Sequence, residues 1–260
     1  MKNTRFKAGL CVPKRKIGNV AFNKDEIIKT RKENQDCQIL LFPELSLTGY
    51  TCGDLFFQAE ILESCLSALE DIKEASRENK GARIILGLPL RKGNSLYNVA
   101  AFLNNGKILG FVPKSYLPNY SEFYEQRWFK EGKGIEKDSI FIHNEEIPFG
   151  TDLLFYDDEL VIGGEICEDL FVPDKPSTHL ALKGANVIVN LSASDEVIGK
   201  HDYRKQLVSG QSGSCYLQYL YVSSGEEESS TDLVFSGHCM IAESGKILQE
   251  SIYPSGTNVI

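Results

Sequence analysis

The chain has 260 residues, 42% hydrophobic and 25% charged, with a formal net charge of −8. That is enough apolar material for one large core, and it excludes the disordered and fibrous classes. Acids and bases are interspersed rather than blocked, which gives no electrostatic support to a nucleic-acid partner, and no stretch approaches the roughly 18 apolar residues that read as a membrane span.

In chain order, the apolar runs 6–12 and 37–42 close on Pro13 and Pro43 and predict buried strands, with a helix over 26–34 between them. Ile61, Leu62, Cys65, Leu66, Leu69 and Ile72 recur at steps of three and four, which places one apolar stripe on a helix. Residues 83–89 predict a strand. Residues 99–111 predict a hairpin turning at Asn104, Asn105, Gly106 and Lys107, because Asn and Gly tolerate positive φ. The segment 113–134 is aromatic and charged without a period, and predicts a long ordered loop of the kind that carries function. Strands follow at 153–156 and 160–166, then a helix over 177–183, a strand at 187–191, a helix over 203–218 and a strand at 219–223. A last hairpin pairs 233–242 with 247–252, and Asn258, Val259 and Ile260 read as the start of a further strand, as in a cut piece. Alternating strands and helices with internal hairpins predict one α/β domain over 1–260 with mixed sheets.

The seven cysteines are odd in number, widely spread and without a C-x-x-C pair, which predicts free thiols in a reducing cytoplasm and no metal site.

Ligands of α/β sheets bind at the carboxyl ends of strands, and three reactive residues fall there: Glu44, Lys114 and Cys167. A base, a cation and a soft nucleophile are what covalent acyl transfer needs. Glu165, Glu168 and Asp169 beside Cys167 are expected to raise its thiol pKa, so Glu44 would take the proton and Lys114 would offset the like charges. The Glu168 N–H is a candidate second oxyanion donor. Residue chemistry alone leaves the bland alternatives open: a buried Cys167, a Glu44 that starts a helix, and a solvated Lys114.

Three runs resolve this. Phe-Pro-Glu-Leu-Ser-Leu-Thr-Gly-Tyr from Phe42 to Tyr50, Gly-Phe-Val-Pro-Lys-Ser-Tyr-Leu-Pro from Gly110 to Pro118, and Gly-Gly-Glu-Ile-Cys-Glu-Asp from Gly163 to Asp169 resemble the three catalytic signatures of the nitrilase superfamily. The resemblance implies an αββα four-layer sandwich that hydrolyses nitriles or amides through a thioester, with Glu44, Lys114 and Cys167 as the catalytic set. Finer runs, from Tyr50 to Phe56, from Asn190 to Ser194 with Gly199 and Lys200, and from Gly225 to Phe235, resemble the glutaminase domain of glutamine-dependent NAD synthetases. That implies release of ammonia from L-glutamine and its use on deamido-NAD by a synthetase domain absent from this chain. By the same resemblance Tyr120, Ser194 and Lys200 match glutamine-binding positions, with Glu168 and Phe171 lining the same pocket. It further implies no cofactor for the amidase step, ATP and Mg only for the synthetase step, and a homo-oligomer.

The run from Val208 to Ser214 lacks the second glycine and the aspartate of a Ser-Gly-Gly-x-Asp-Ser pyrophosphate loop and is no nucleophile elbow either, so it is read as a decoy on a helix. Three rivals remain: a free-standing amidase of the ω-amidase or carbamoylase type, a non-catalytic scaffold, and a cysteine–histidine hydrolase. The last would need His179, His201 or His238, each expected at the surface or at a helix cap.

Overall fold

The structure is a computed structural model that describes residues 6–78, 82–157, 159–230, 232–251 and 259. In chain order the elements are β1 (Ala8–Leu10), α1 (Val20–Glu33), β2 (Ile39–Leu41), α2 (Ala59–Ala75), β3 (Arg83–Lys92), β4 (Ser95–Asn104), β5 (Lys107–Pro113), β6 (Asp138–Ile142), β7 (Glu145–Phe149), β8 (Phe155–Asp157) and β9 (Leu160–Ile166). They continue with α3 (Pro176–Leu182), β10 (Val187–Ser192), α4 (Lys200–Cys215), β11 (Gln218–Ser223), β12 (Cys239–Glu243) and β13 (Lys246–Ser251). One sheet runs β1-β2-β3-β4-β5-β7-β6 and the other β13-β12-β11-β10-β9-β8, each mixing parallel and antiparallel pairs.

The two-residue period of the strands builds the layers. On β3, Ile84, Leu86, Leu88 and Leu90 meet Ile27 of α1 and Cys65, Leu69 and Ile72 of α2. Ile85 points the other way, into a second apolar layer with Leu10 and Leu41 and, from the opposite sheet, Val187, Val189, Leu191 and Leu220. Phe102 of β4 stacks on Phe155 of β8 across that layer, with ring centroids 3.9 Å apart. Ile188 and Tyr219 face outward onto Leu180 of α3 and Val208 of α4. The order is therefore helices, sheet, sheet, helices, the four-layer sandwich expected, and each fully buried Leu, Ile or Phe stabilises it by roughly 1.5–3 kcal/mol.

Several boundaries differ from expectation. α1 begins at Val20, six positions before the predicted 26, because Asn19 caps it by accepting from the Phe22 N–H at 3.1 Å. Its inward position 23 is an asparagine, bonded to Lys16 and Leu47 backbone, so the apolar stripe is interrupted in sequence though not in space. The hairpin β6–β7 went unpredicted. α4 starts at Lys200 and stops at Cys215, with Tyr216 left-handed, rather than running from 203 to 218. The run from Val208 to Ser214 is helical, and Ser230 and 232–238 are not strand. Ile252, Thr231, Asn258 and Ile260 lie outside the described residues; Val259 makes a single bridge to Cys11. None of the seven cysteines is in a disulfide, and no helix among the described residues is long and apolar enough to cross a membrane.

Candidate active site

Glu44 follows β2, Lys114 follows β5 and Cys167 follows β9, so two strands of one sheet and one of the other deliver them to a common end of the sandwich. Lys114 Nζ lies 2.7 Å from Glu44 Oε1. It also lies 2.6 Å from Oε1 of Glu125, a residue of the long loop, and none of the three side chains reaches solvent. Glu44 Oε1 also accepts from Asn98 Nδ2 at 2.6 Å, and Oε2 from the Ala193 N–H at 2.8 Å. The Tyr50 hydroxyl donates to Glu125 Oε1 at 2.8 Å. Buried charges of this kind persist when paired and hydrogen-bonded, as Lys114 is by the two carboxylates.

Cys167 has φ +46°, a left-handed backbone that costs a β-carbon residue of order 1–3 kcal/mol, at the turn that ends β9. Asp169 holds that elbow: its carboxylate accepts from the N–H groups of Ile166 (2.9 Å), Ser115 (3.1 Å) and Tyr116 (2.9 Å). One side chain thus binds the nucleophile's strand to the residues that follow Lys114. Glu44 is seated as closely: a Cβ on Gly87 of β3 would stand 2.2 Å from the Leu45 nitrogen, so only glycine lets the two backbones meet.

Burial, and then the Glu44 carboxylate, push the Cys167 thiol well above its ordinary range, while Lys114 and the Ala193 N–H pull the other way. The sequence neighbours expected to do this are engaged elsewhere, Asp169 as above and Glu165 with the Ser177 N–H and Tyr219. Burial works against the Lys114 ammonium, but Glu125 and Glu44 outweigh it and hold its pKa well above that of a free lysine. Lys114 therefore stays a cation. Burial pushes Glu125 up to about 7, against the pull of Lys114 and the Tyr50 hydrogen bond.

Of the residues assigned to the substrate, Tyr120 is exposed and Glu168 and Lys200 are part-buried. The Tyr120 hydroxyl donates to Glu168 Oε2 at 3.0 Å. Lys200 Nζ pairs with Asp195 and lies 5.1 Å over the Phe123 ring, against which Tyr120 packs edge-on. Burial raises the Glu168 carboxyl, with Tyr120, Lys114 and Lys200 opposing it, so these charges share one neighbourhood. Ser194 follows Ala193, is buried, and is held by Ser223 and Arg204. Phe171 packs against Tyr203 of α4.

Sequence reasoning did not single out Glu125, Asn98, the Ala193 N–H or Tyr50. The only available signal for Glu125 was that its loop looked functional; among Glu122, Arg127, Lys130 and Glu131 nothing marked it. His238 is a correction: it is fully buried rather than at the surface, because Arg204 Nε meets its Nδ1 at 3.3 Å and Glu250 Oε1 its Nε2 at 3.2 Å. His201, His238 and Glu250 bring ligand atoms within 4.8 Å of one another. Arg204 donating to Nδ1 leaves the His238 proton on Nε2, and Lys205 pairs with Glu250, so these groups form a hydrogen-bonded network. His179 is exposed and paired with Asp174.

Residues 23–253 match the carbon–nitrogen hydrolase family. The chain is 40% identical over 252 residues to the glutamine-dependent NAD(+) synthetase of Mycobacterium tuberculosis (strain ATCC 25618 / H37Rv), covering 95% of this chain and 37% of that protein. It thus spans little more than a third of the length of the curated relatives it matches. Among solved structures, a glutamine-dependent NAD(+) synthetase from Cytophaga hutchinsonii superposes with TM-score 0.82 at 29% identity, over 99% of this chain and 42% of that one. An amidase of the nitrilase superfamily from Nesterenkonia AN1 superposes with TM-score 0.79 over 100% of this chain and 91% of that one; at 18% identity it shows likeness of fold.

Proposed function

The chain belongs to the carbon–nitrogen hydrolase family, and from that premise we propose that it hydrolyses the side-chain amide of L-glutamine through a thioester on Cys167. The ammonia would serve a synthetase domain that uses ATP and Mg to amidate deamido-NAD, in a cytoplasmic homo-oligomer. The observation that carries the reading is the buried Glu44–Lys114–Glu125 set beside a thiol on a strained elbow. Glutamine is favoured among amides by the relatives' name and by the rim of Tyr120, Glu168 and Lys200, which offers both signs of charge to an amino acid.

In this reading Glu44 takes the Cys167 proton as sulfur attacks the amide carbon. Charge developing on the carbonyl oxygen is met by the Lys114 ammonium and the Glu168 N–H. Glu44 returns the proton to nitrogen, the C–N bond breaks and ammonia leaves. Water then gives a proton to Glu44 and attacks the thioester carbon; the C–S bond breaks, glutamate departs and Glu44 returns the proton to the Cys167 sulfur.

Ammonia release from L-glutamine, with Cys167→Ala as control, tests the reading. The variant should lose a factor on the order of 10⁶, as nucleophile removal does in a serine triad. Substantial activity in Cys167→Ala would overturn the nucleophile, and no preference for glutamine over butyramide would overturn the substrate.

A further inference from the structure

Beside the catalytic centre lies a buried ion pair that the amide chemistry leaves unused. Arg15 Nη1 donates to Glu228 Oε2 at 2.7 Å and to Ser224 Oγ at 3.1 Å, with the Arg15 and Glu228 side chains 4% and 1% exposed. The other carboxylate oxygen faces a different segment: Glu228 Oε1 accepts from the Thr51 N–H at 3.2 Å, and Thr51 Oγ1 lies 3.2 Å from it. On the near side of the same turn, a Cβ on Gly49 would stand 2.8 Å from that oxygen, and Gly49 has φ +87°. The carboxylate is therefore pressed against the backbone on both flanks of Tyr50.

Tyr50 is the residue that this contact aims. Its ring is wedged edge-on between Phe123 and Phe235, centroids 6.4 and 6.3 Å away, and its hydroxyl reaches Glu125 Oε1, the oxygen that Lys114 also holds. The strength of that hydrogen bond depends on its length and angle, and so on where the Tyr50 backbone places the ring.

We propose that Glu228 is a positioning residue for the amidase centre: braced by Arg15, it fixes the Gly49–Thr51 backbone so that the Tyr50 hydroxyl holds Glu125 against Lys114. A buried ion pair adds little net stability over an apolar contact but enforces a geometry, and geometry is what Tyr50 needs. The proposal rests on Glu44, Lys114 and Cys167 being an amidase centre and is independent of glutamine as the substrate.

The test is the pH dependence of Cys167 alkylation by iodoacetamide in the complete protein, followed by peptide mass spectrometry; sulfur displaces iodide, so no substrate is involved. Lys114, Glu44, Tyr50 and Cys167 are the ionisable groups facing Glu125. The Tyr50 bond favours the ionised carboxylate, so weakening it moves the inflection near pH 7 upward. Glu228→Gln and Tyr50→Phe should each raise it by roughly one pH unit, the double variant should go no further, and Arg15→Lys should shift it less than Arg15→Met. Thr51→Val, which keeps the ion pair, should give a smaller rise and serves if Glu228→Gln does not fold. An unmoved inflection in a folded Glu228→Gln or Thr51→Val, or additive shifts in the double variant, overturns the proposal. If these shifts occur while the wild type releases no ammonia from glutamine, the brace stands and the substrate assignment falls.

Discussion

The Glu125 carboxylate holds the Lys114 ammonium at 2.6 Å, as closely as Glu44 does at 2.7 Å, in a place that solvent does not reach. Lys114 is thus oriented from two elements, and Glu44 keeps its second oxygen on the Ala193 N–H rather than committing both to the lysine. A cation held by one carboxylate would swing with it; held by two, it keeps its aim at the oxyanion position.

Replacing Glu125 by glutamine keeps the shape and removes the charge. Glu125→Gln should lower kcat for amide hydrolysis about 10²- to 10³-fold with little change in KM, the scale of losing one preorganised oxyanion contact. It should also abolish the inflection near pH 7 in Cys167 alkylation. Steady-state kinetics together with the alkylation profile check both.

Asp169 satisfies the N–H groups of Ile166, Ser115 and Tyr116 at once. Asp169→Ala leaves those donors buried and unpaired, at about 1–3 kcal/mol each, so unfolding in urea should show a loss of more than about 3 kcal/mol. A variant within 1 kcal/mol of wild type would show that the clamp is incidental.

Lys200 carries its charge above Phe123. Lys200→Met should raise KM for glutamine by roughly 10- to 100-fold, the value of one or two charge-assisted hydrogen bonds, and leave butyramide hydrolysis unchanged. Equal loss on both amides would place Lys200 in the chemistry instead.

His238 gives a pH prediction for stability. Burial, helped by the neighbouring Arg204 and His201, depresses it to about 4, below its ordinary value of 6.5. The unfolded chain therefore binds more protons between those values, so stability is full above about 6.5 and falls as pH drops towards 4. His238→Gln should flatten this slope by a few kcal/mol, measured as urea midpoints at pH 7, 5.5 and 4.5.

How much was legible depended on whether the signal was local. Strand and helix periods identified most elements, because a face buried along one element repeats at two or at three and four residues. Where the inward position was polar, as at Asn23 of α1 and Arg204 of α4, the stripe broke and the helix start was misplaced. In the same way, Glu44, Lys114 and Cys167 could be picked out because each ends an apolar run and sits in a recognisable motif.

Only the tertiary structure decided what surrounds them. Glu125 comes from a loop without period. The Ala193 contact is a backbone N–H that no side-chain identity announces. Arg15, Thr51 and Glu228 meet across sequence separations that local pattern does not encode. The residues that do the chemistry are marked by composition at strand ends; the groups that set their charge and aim are chosen by packing, because a buried charge takes whatever partner the fold brings within hydrogen-bond distance.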